Sequence, residues 1–111
     1  MDERERKLYA LQAQLCQVLA DPSRLELIHL IGAGERTVGD LIAATGLRQA
    51  NVSQHLALLR QRGVVATRRE GTTVSYRLAY PEILEACALT RHILLRQLEA
   101  ARELVAPVKG A

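Results

Sequence analysis

The residues with the most chemistry to offer lie near the middle of the chain, in positions 49–55 (Gln-Ala-Asn-Val-Ser-Gln-His). Glutamine and asparagine amides form paired hydrogen bonds with the edge of adenine, and serine hydroxyls bond to several bases. Two thiols, Cys16 and Cys87, offer soft metal ligands or sites of oxidation. An imidazole at His92, with a carboxylate seven residues away on either side, offers harder metal ligands.

The polar run falls on the second helix of a predicted helix-turn-helix, residues 37–62. A capping box at Thr37 and a glycine at position 46 bound the first helix, and the second runs from about residue 49 to residue 62. Short polar side chains in the first turns of the second helix are what a recognition helix needs to reach base edges in the major groove. The apolar positions on its other face are Val52, Leu56 and Leu59.

A two-stranded ribbon is predicted directly after these helices, over residues 64–78. Residues 72–78 alternate between polar and apolar types, which is typical of a half-buried hairpin strand. Glu70 and Gly71 are predicted to form the turn. Arg68 and Arg69 are therefore expected near the tip, where they would reach phosphate or the minor groove.

The distribution of charge favours duplex DNA as the partner. Residues 48–77 carry six arginines and one acid, whereas the rest of the chain is slightly acidic. Such a basic segment is typical of a nucleic-acid-binding surface. The chain has no Trp or Phe and only three Tyr, so base stacking on a single strand is not the expected binding mode.

Three further helices are predicted, over residues 5–20, from Pro22 to about Ile31, and over residues 82–105. The last helix carries an apolar stripe about six turns long. A domain of this size cannot cover such a stripe alone, which favours pairing with a second copy of the chain.

Several functional classes are excluded by what the sequence lacks. It has no apolar run of the roughly 20 residues that span a membrane, and its charged first residues do not form a secretory signal. A cytoplasmic, non-membrane protein is therefore expected. No CxxC pair, nucleophile elbow, glycine-rich phosphate loop or HExxH motif is present, so an enzyme is not expected.

The order of these elements, together with several short motifs, resembles the ArsR/SmtB family of winged helix-turn-helix repressors. The resemblance extends from residue 8 to about residue 105. The motifs are Leu19-Ala20-Asp21-Pro22-Ser23-Arg24-Leu25, residues 34–41, Val52-Ser53-Gln54-His55-Leu56 with Leu59, Gly63-Val64-Val65, and the hairpin from Arg69-Glu70-Gly71 to Tyr76-Arg77-Leu78.

The resemblance implies a mainly α fold with a small β-hairpin wing, in the order α-α-α-α-β-β-α. It implies one domain over residues 1–111, with dimerisation helices at 1–20 and 82–105, the helix-turn-helix at 37–62 and the wing at 64–78. It also implies a homodimer that binds a two-fold symmetric, double-stranded operator and leaves it when an effector binds.

The residues expected to contact DNA are those that match the DNA-reading pattern of the family, together with residues of the basic segment. Two departures from the family concern phosphate contacts: position 48 is usually Ser or Thr, and position 72 is often Lys or Arg. His55 is equally compatible with a packing role, and Arg60 and Arg62 with a role that is part structural and part phosphate contact. The full set is Arg48, Gln49, Asn51, Ser53, Gln54, His55, Arg60, Arg68, Arg69 and Thr72.

The effector is not specified by the sequence. One metal site of the family uses a cysteine pair where this chain has Val38 and Gly39, so no arsenic or cadmium site of that type is expected. Thiol chemistry at Cys16 and Cys87, by oxidation, persulfidation or a soft ion, is the favoured effector hypothesis, and an inert packing role for both thiols stays open beside it. The alternative metal ligands are His92 with Glu85 or Glu99.

Two alternative functions stay open. The winged helix could serve as a protein-interaction module without DNA binding, although the local positive charge argues against this. It could also be a repressor or nucleoid protein that responds to no effector. A gel shift with the upstream region of the encoding gene distinguishes the first of these from the operator-binding hypothesis.

Overall fold

The computed structural model describes residues 1–105. It divides into two compact units, one spanning Met1–Pro81 and the other beginning at Glu82. The organisation of the whole chain as one domain stays a prediction. In the described residues no helix has the length and apolarity needed to cross a membrane.

The architecture is mainly helical with a small antiparallel sheet, which confirms the predicted fold class. The first unit contains four helices and three strands, and the second contains one long helix. The elements in chain order are α1 (Glu3–Val18), α2 (Pro22–Gly32), β1 (Arg36–Thr37), α3 (Val38–Thr45), α4 (Gln49–Gln61), β2 (Val65–Glu70), β3 (Thr73–Leu78) and α5 (Glu82–Val105).

The helices begin where their capping residues require. Asp21 caps α2 by accepting a hydrogen bond from the Arg24 amide at 3.0 Å, and Pro22 occupies the first helical turn. Thr37 and Asp40 form a reciprocal capping box at α3, with bonds of 3.1 and 3.0 Å. These caps satisfy amides that have no partner within the helix, so they fix where each helix starts.

The sheet differs from the predicted ribbon in two ways. Its strand order is β1-β3-β2, and the short strand β1, which was not predicted, pairs Arg36 with Tyr76. The turn was also predicted one residue too early. Glu70 pairs with Thr73, which leaves Gly71 and Thr72 as the two-residue turn, with Gly71 at a φ of 60°.

The core of the first unit lies between α2, α3, α4 and the base of the sheet. Val52 and Leu56 of α4 are fully buried, and α4 packs against α2 and α3. This burial confirms the apolar face predicted for α4 and fixes its opposite face toward solvent. The residues with no more than 1% exposure are Leu27, Ile28, Leu41, Val52, Leu56, Leu59 and Val64.

Two helices keep much of their apolar surface exposed. In α1, Leu8, Leu11 and Leu15 are all exposed, and only Val18 is buried. The helix α5, described on its own, spans 24 residues as predicted and exposes a run of large apolar side chains. These are Leu89, Ile93, Leu94, Leu95, Leu98 and Leu104.

Candidate nucleic-acid interface

The turn between α3 and α4 has a closely defined geometry. Gly46 adopts a φ of +72°, in the left-handed region that favours glycine, and its amide bonds to the Ile42 carbonyl at 2.8 Å. The Thr45 hydroxyl donates to the Leu41 carbonyl at 2.7 Å and accepts from the Leu47 amide at 3.2 Å. The predicted helix-turn-helix is therefore present, with α4 as its second helix.

The first turns of α4 present a polar surface to solvent. Arg48 is the N-cap residue and makes no side-chain cap hydrogen bond. The side chains of Gln49, Asn51, Ser53 and Gln54 are exposed. Within residues 1–105 none of these four makes a side-chain hydrogen bond, so their amide and hydroxyl groups are free for an external partner.

His55 lies apart from that polar surface. It is half-buried, with its Nδ1 3.5 Å from the guanidinium of Arg24 and its Nε2 3.9 Å from the carboxylate of Asp21. Both partners belong to the start of α2. Of the two roles left open for His55, the contacts favour packing.

The two arginines at the end of α4 differ in their surroundings. Arg60 is exposed in the last turn. Arg62, just beyond the helix, donates to the side-chain carbonyl of Gln14 in α1 at 3.3 Å. One cation therefore projects into solvent, whereas the other links α4 to α1.

The adjacent arginines of the wing also differ. Arg68 donates to Glu35 at 2.7 Å and to Glu70 at 2.9 Å, so two carboxylates surround its guanidinium. Arg69 is exposed, and no carboxylate of residues 1–105 lies within ion-pairing distance of it. Successive residues of a strand point to opposite faces, which explains why the two neighbours meet different partners. Thr72 is exposed in the turn between the strands.

The candidate effector residues lie on α1 and α5. Cys16 is exposed in the last turns of α1, and Cys87 in α5 is partly buried. Burial raises the pKa of the Cys87 thiol, which keeps it protonated and lowers its reactivity.

The alternative metal ligands, Glu85, His92 and Glu99, are exposed on α5. Neighbouring members of this set are seven residues, or about 10.5 Å of helix axis, apart. Among the described residues, no group of three or more potential ligands is close enough to hold a metal ion. A metal site built on them would need ligands from a second chain.

The residues that contact His55 and Arg68 were not identified from the sequence. Asp21 was predicted as a cap and Arg24 appeared only within a motif, so neither was connected with His55. Glu35 was not connected with Arg68, because nothing in the local sequence signals a contact between residues so far apart. The Asp-Pro-Ser-Arg segment at the start of α2 is the one signal that pointed to part of this arrangement.

Comparison with known sequences places the chain among bacterial regulators. A family model described as bacterial regulatory protein, arsR family, matches residues 21–67. The uncharacterized HTH-type transcriptional regulator Rv0081 of Mycobacterium tuberculosis is 41% identical over 92 residues, covering 82% of this chain and 81% of that protein. The arsenical resistance operon repressor of Escherichia coli is 42% identical over 72 residues, covering 64% of this chain and 62% of that protein.

Solved structures agree with this placement. The crystal structure of Mycobacterium tuberculosis Rv0081 aligns with a TM-score of 0.77 and 40% identity, covering 85% of this chain and 95% of that one. The solution structure of a Mycobacterium bovis fragment, Mb0332, aligns with a TM-score of 0.79 and 32% identity, covering 90% and 93%. That fragment is described as a homodimeric winged helix-turn-helix DNA-binding domain.

Proposed function

Because the chain belongs to the ArsR family of bacterial DNA-binding regulators, we propose that it is a homodimeric repressor that binds a two-fold symmetric operator and leaves it when an effector binds. The observation that carries this proposal is the exposed amide and hydroxyl surface at the start of α4, held in a helix-turn-helix and followed by a basic wing. These features act together, because the helix reads bases and the wing contacts the backbone.

In this proposal α4 enters the major groove with its first two turns. Asn51 and Gln54 form paired hydrogen bonds with adenine edges, and Ser53 adapts to the neighbouring base. Gln49 and Arg48 lie at the helix start, where backbone amides and the helix dipole favour a phosphate. Because the opposite face of α4 is buried in the core, these side chains are held at fixed positions along the groove.

The wing supplies contacts to the DNA backbone. Arg69, which is exposed and has no acidic partner among the described residues, is the principal phosphate ligand of the wing. Arg68 contributes less net attraction, because leaving Glu35 and Glu70 for a phosphate would expose two carboxylates. Arg60 and Thr72 contact phosphates at the edges of the interface.

Dimerisation covers the exposed apolar surfaces of α1 and α5. Large exposed apolar surfaces on a small protein mark interaction sites, and symmetric pairing with a second copy is the commonest arrangement. The related Mycobacterium bovis fragment is described as homodimeric. The pairing sets the distance between the two α4 helices, which must match two half-sites about 34 Å apart.

The proposed effector chemistry uses the two thiols. An oxidant of the peroxide class converts the exposed Cys16 thiolate to a sulfenic acid, and attack by the Cys87 thiol then gives a disulfide and releases water. Persulfidation or capture of a soft ion by the same thiols is the related route. The metal alternative uses His92 with Glu85 or Glu99 and requires a second chain.

A gel shift tests DNA binding most simply. The probes are a duplex from the upstream region of the encoding gene and a random duplex of equal length, each at two salt concentrations. Gln54→Ala is expected to weaken binding to the specific duplex by about 1–3 kcal/mol and to leave the random duplex unaffected. Gln61→Ala, an exposed glutamine at the other end of α4, is the matched control. Equal losses on both duplexes would contradict base reading by Gln54.

Intact-protein mass spectrometry tests the effector hypothesis. After exposure to peroxide, persulfide or a soft metal, the wild-type chain is expected to change in mass and to release DNA. A variant carrying Cys16→Ser and Cys87→Ser should do neither. If this variant still responds to the natural inducer, the thiol hypothesis is wrong.

A further inference from the structure

A polar junction connects the end of α1, the start of α2 and the middle of α4. At its centre is Arg24, in the first turn of α2. Its Nε donates to the Val18 carbonyl at 2.5 Å, and one terminal nitrogen donates to the Gln17 carbonyl at 3.4 Å. The other terminal nitrogen lies 3.5 Å from Nδ1 of His55 in α4. One side chain therefore contacts two helices besides its own.

The end of α1 needs such a partner. The last carbonyls of a helix have no amide partners within the helix, and they carry the negative end of the helix dipole. The last turn of α1 contains no basic residue of its own. Arg24 supplies that cation from α2, so the position of its guanidinium follows the position of the end of α1.

The same guanidinium fixes the orientation of His55. Arginine can only donate hydrogen bonds, so Nδ1 of His55 must accept. The other ring nitrogen, Nε2, lies 3.9 Å from the carboxylate of Asp21. The ring lies between two side chains of α2 and is half-buried, whereas Gln54 and Asn51 on the same helix are exposed.

We infer that Arg24 and His55 are positioning residues for DNA recognition: they hold α4 in a fixed place relative to the end of α1, and His55 acts through this junction without contacting a base. The inference rests on the proposed function, because it concerns how α4 meets the operator. The junction lies between the helix proposed to dimerise and the helix proposed to read DNA. A shift of α1 therefore reaches the recognition helix through Arg24.

A double-mutant cycle in DNA affinity tests the junction. Dissociation constants are measured by fluorescence anisotropy for wild type, Arg24→Gln, His55→Ala and the double variant, on the upstream duplex. Each single change is expected to raise the constant about tenfold, the lower end for loss of a hydrogen bond to a charged group. The double change should raise it no further than the larger single effect, because the residues act as one unit.

Two controls separate positioning from other roles. Arg24→Gln combined with Arg69→Gln should give multiplied effects, because Arg69 lies on the wing, outside the junction and outside α4. Arg24→Lys keeps the positive charge, but its single ammonium group cannot bond to the Val18 carbonyl and His55 in the arginine geometry, so it should not restore affinity. Thermal melting of every variant establishes that affinities are compared between folded proteins; if Arg24→Gln does not fold, Arg24→Lys takes its place in the cycle.

Three results would overturn the inference while the wild type still prefers its operator. The first is a double variant of Arg24 and His55 whose dissociation constant rises by the product of the two single effects. The second is wild-type affinity in Arg24→Lys. The third is lowered melting temperatures of the variants with unchanged dissociation constants. The last would mean that the junction only stabilises the fold. Failure of the wild type itself to prefer the upstream duplex would instead refute the proposed function.

Discussion

Replacing Arg69 with glutamine is expected to make DNA binding less dependent on salt. Each phosphate neutralised by a basic side chain releases counterions and contributes about −0.9 to the slope of log affinity against log salt. A dimer has two wings, so Arg69→Gln should flatten the slope by about 1.8. Between about 50 and 200 mM salt, the ratio of wild-type to variant affinity should therefore shrink by about tenfold.

The neighbouring Arg68 provides the matched control. Its guanidinium lies 2.7 Å from Glu35 and 2.9 Å from Glu70, so it is already neutralised within the protein. If Arg68 moved to a phosphate, the released carboxylates would bind cations from solution and offset the counterions lost from DNA. Arg68→Gln should consequently change the slope much less than Arg69→Gln does.

The assay is an anisotropy titration of both variants and wild type at four or more salt concentrations, on specific and random duplexes. Arg69→Gln should lower affinity for both duplexes alike, because a phosphate contact carries no sequence information. An unchanged slope in Arg69→Gln would refute the assignment of Arg69. A slope flattened equally by Arg68→Gln would refute the argument from its acidic partners.

Three further predictions concern stability and the effector. Leu56→Ala, at a site with 0% exposure, should lower the free energy of unfolding by about 2–5 kcal/mol in chemical denaturation, and a much smaller loss would contradict the core described above. The pKa of the Asp21 carboxyl is held below its ordinary value of 3.8, chiefly by the hydrogen bond from the Arg24 amide. The capping interaction of Asp21 therefore stabilises the fold above that pH, and this stabilisation is lost as the pH falls through the lower folded-state pKa. Asp21→Asn, which can still cap α2, should make acid unfolding less steep, and an identical acid profile would count against this. At neutral pH a small alkylating reagent should label Cys16 before Cys87, because Cys16 is exposed and burial raises the pKa of the Cys87 thiol. Peptide mapping measures the order of labelling, and the reverse order would contradict the exposure of Cys16.

Local rules explain why much of the fold was predictable. Asp21-Pro22 and the Thr37–Asp40 pair specify helix starts through hydrogen bonds three residues apart, which are visible in the sequence. Gly46 marks a left-handed position, and the apolar spacing of α4 determines which of its faces is buried. The polar run of the candidate interface followed from the same spacing.

The features that sequence reasoning missed depend on contacts between distant residues. The strand β1 is only two residues long and exists because β3 pairs with it. The register of the hairpin placed Gly71 and Thr72 in the turn, whereas Glu70 lies in the strand. The pairing of Arg68 with Glu35 and the contact of Arg24 with His55 join residues about thirty positions apart, and local periodicity carries no information about such pairs.

A binding titration with a mass measurement of the complex decides whether two chains bind one operator. Purified chain is titrated into the labelled upstream duplex and into a random duplex, and the mass of the specific complex gives its stoichiometry. We expect two chains per specific site and an affinity about a thousandfold or more above that for random DNA. A complex of one chain per site, or equal affinity for the two duplexes, would contradict it.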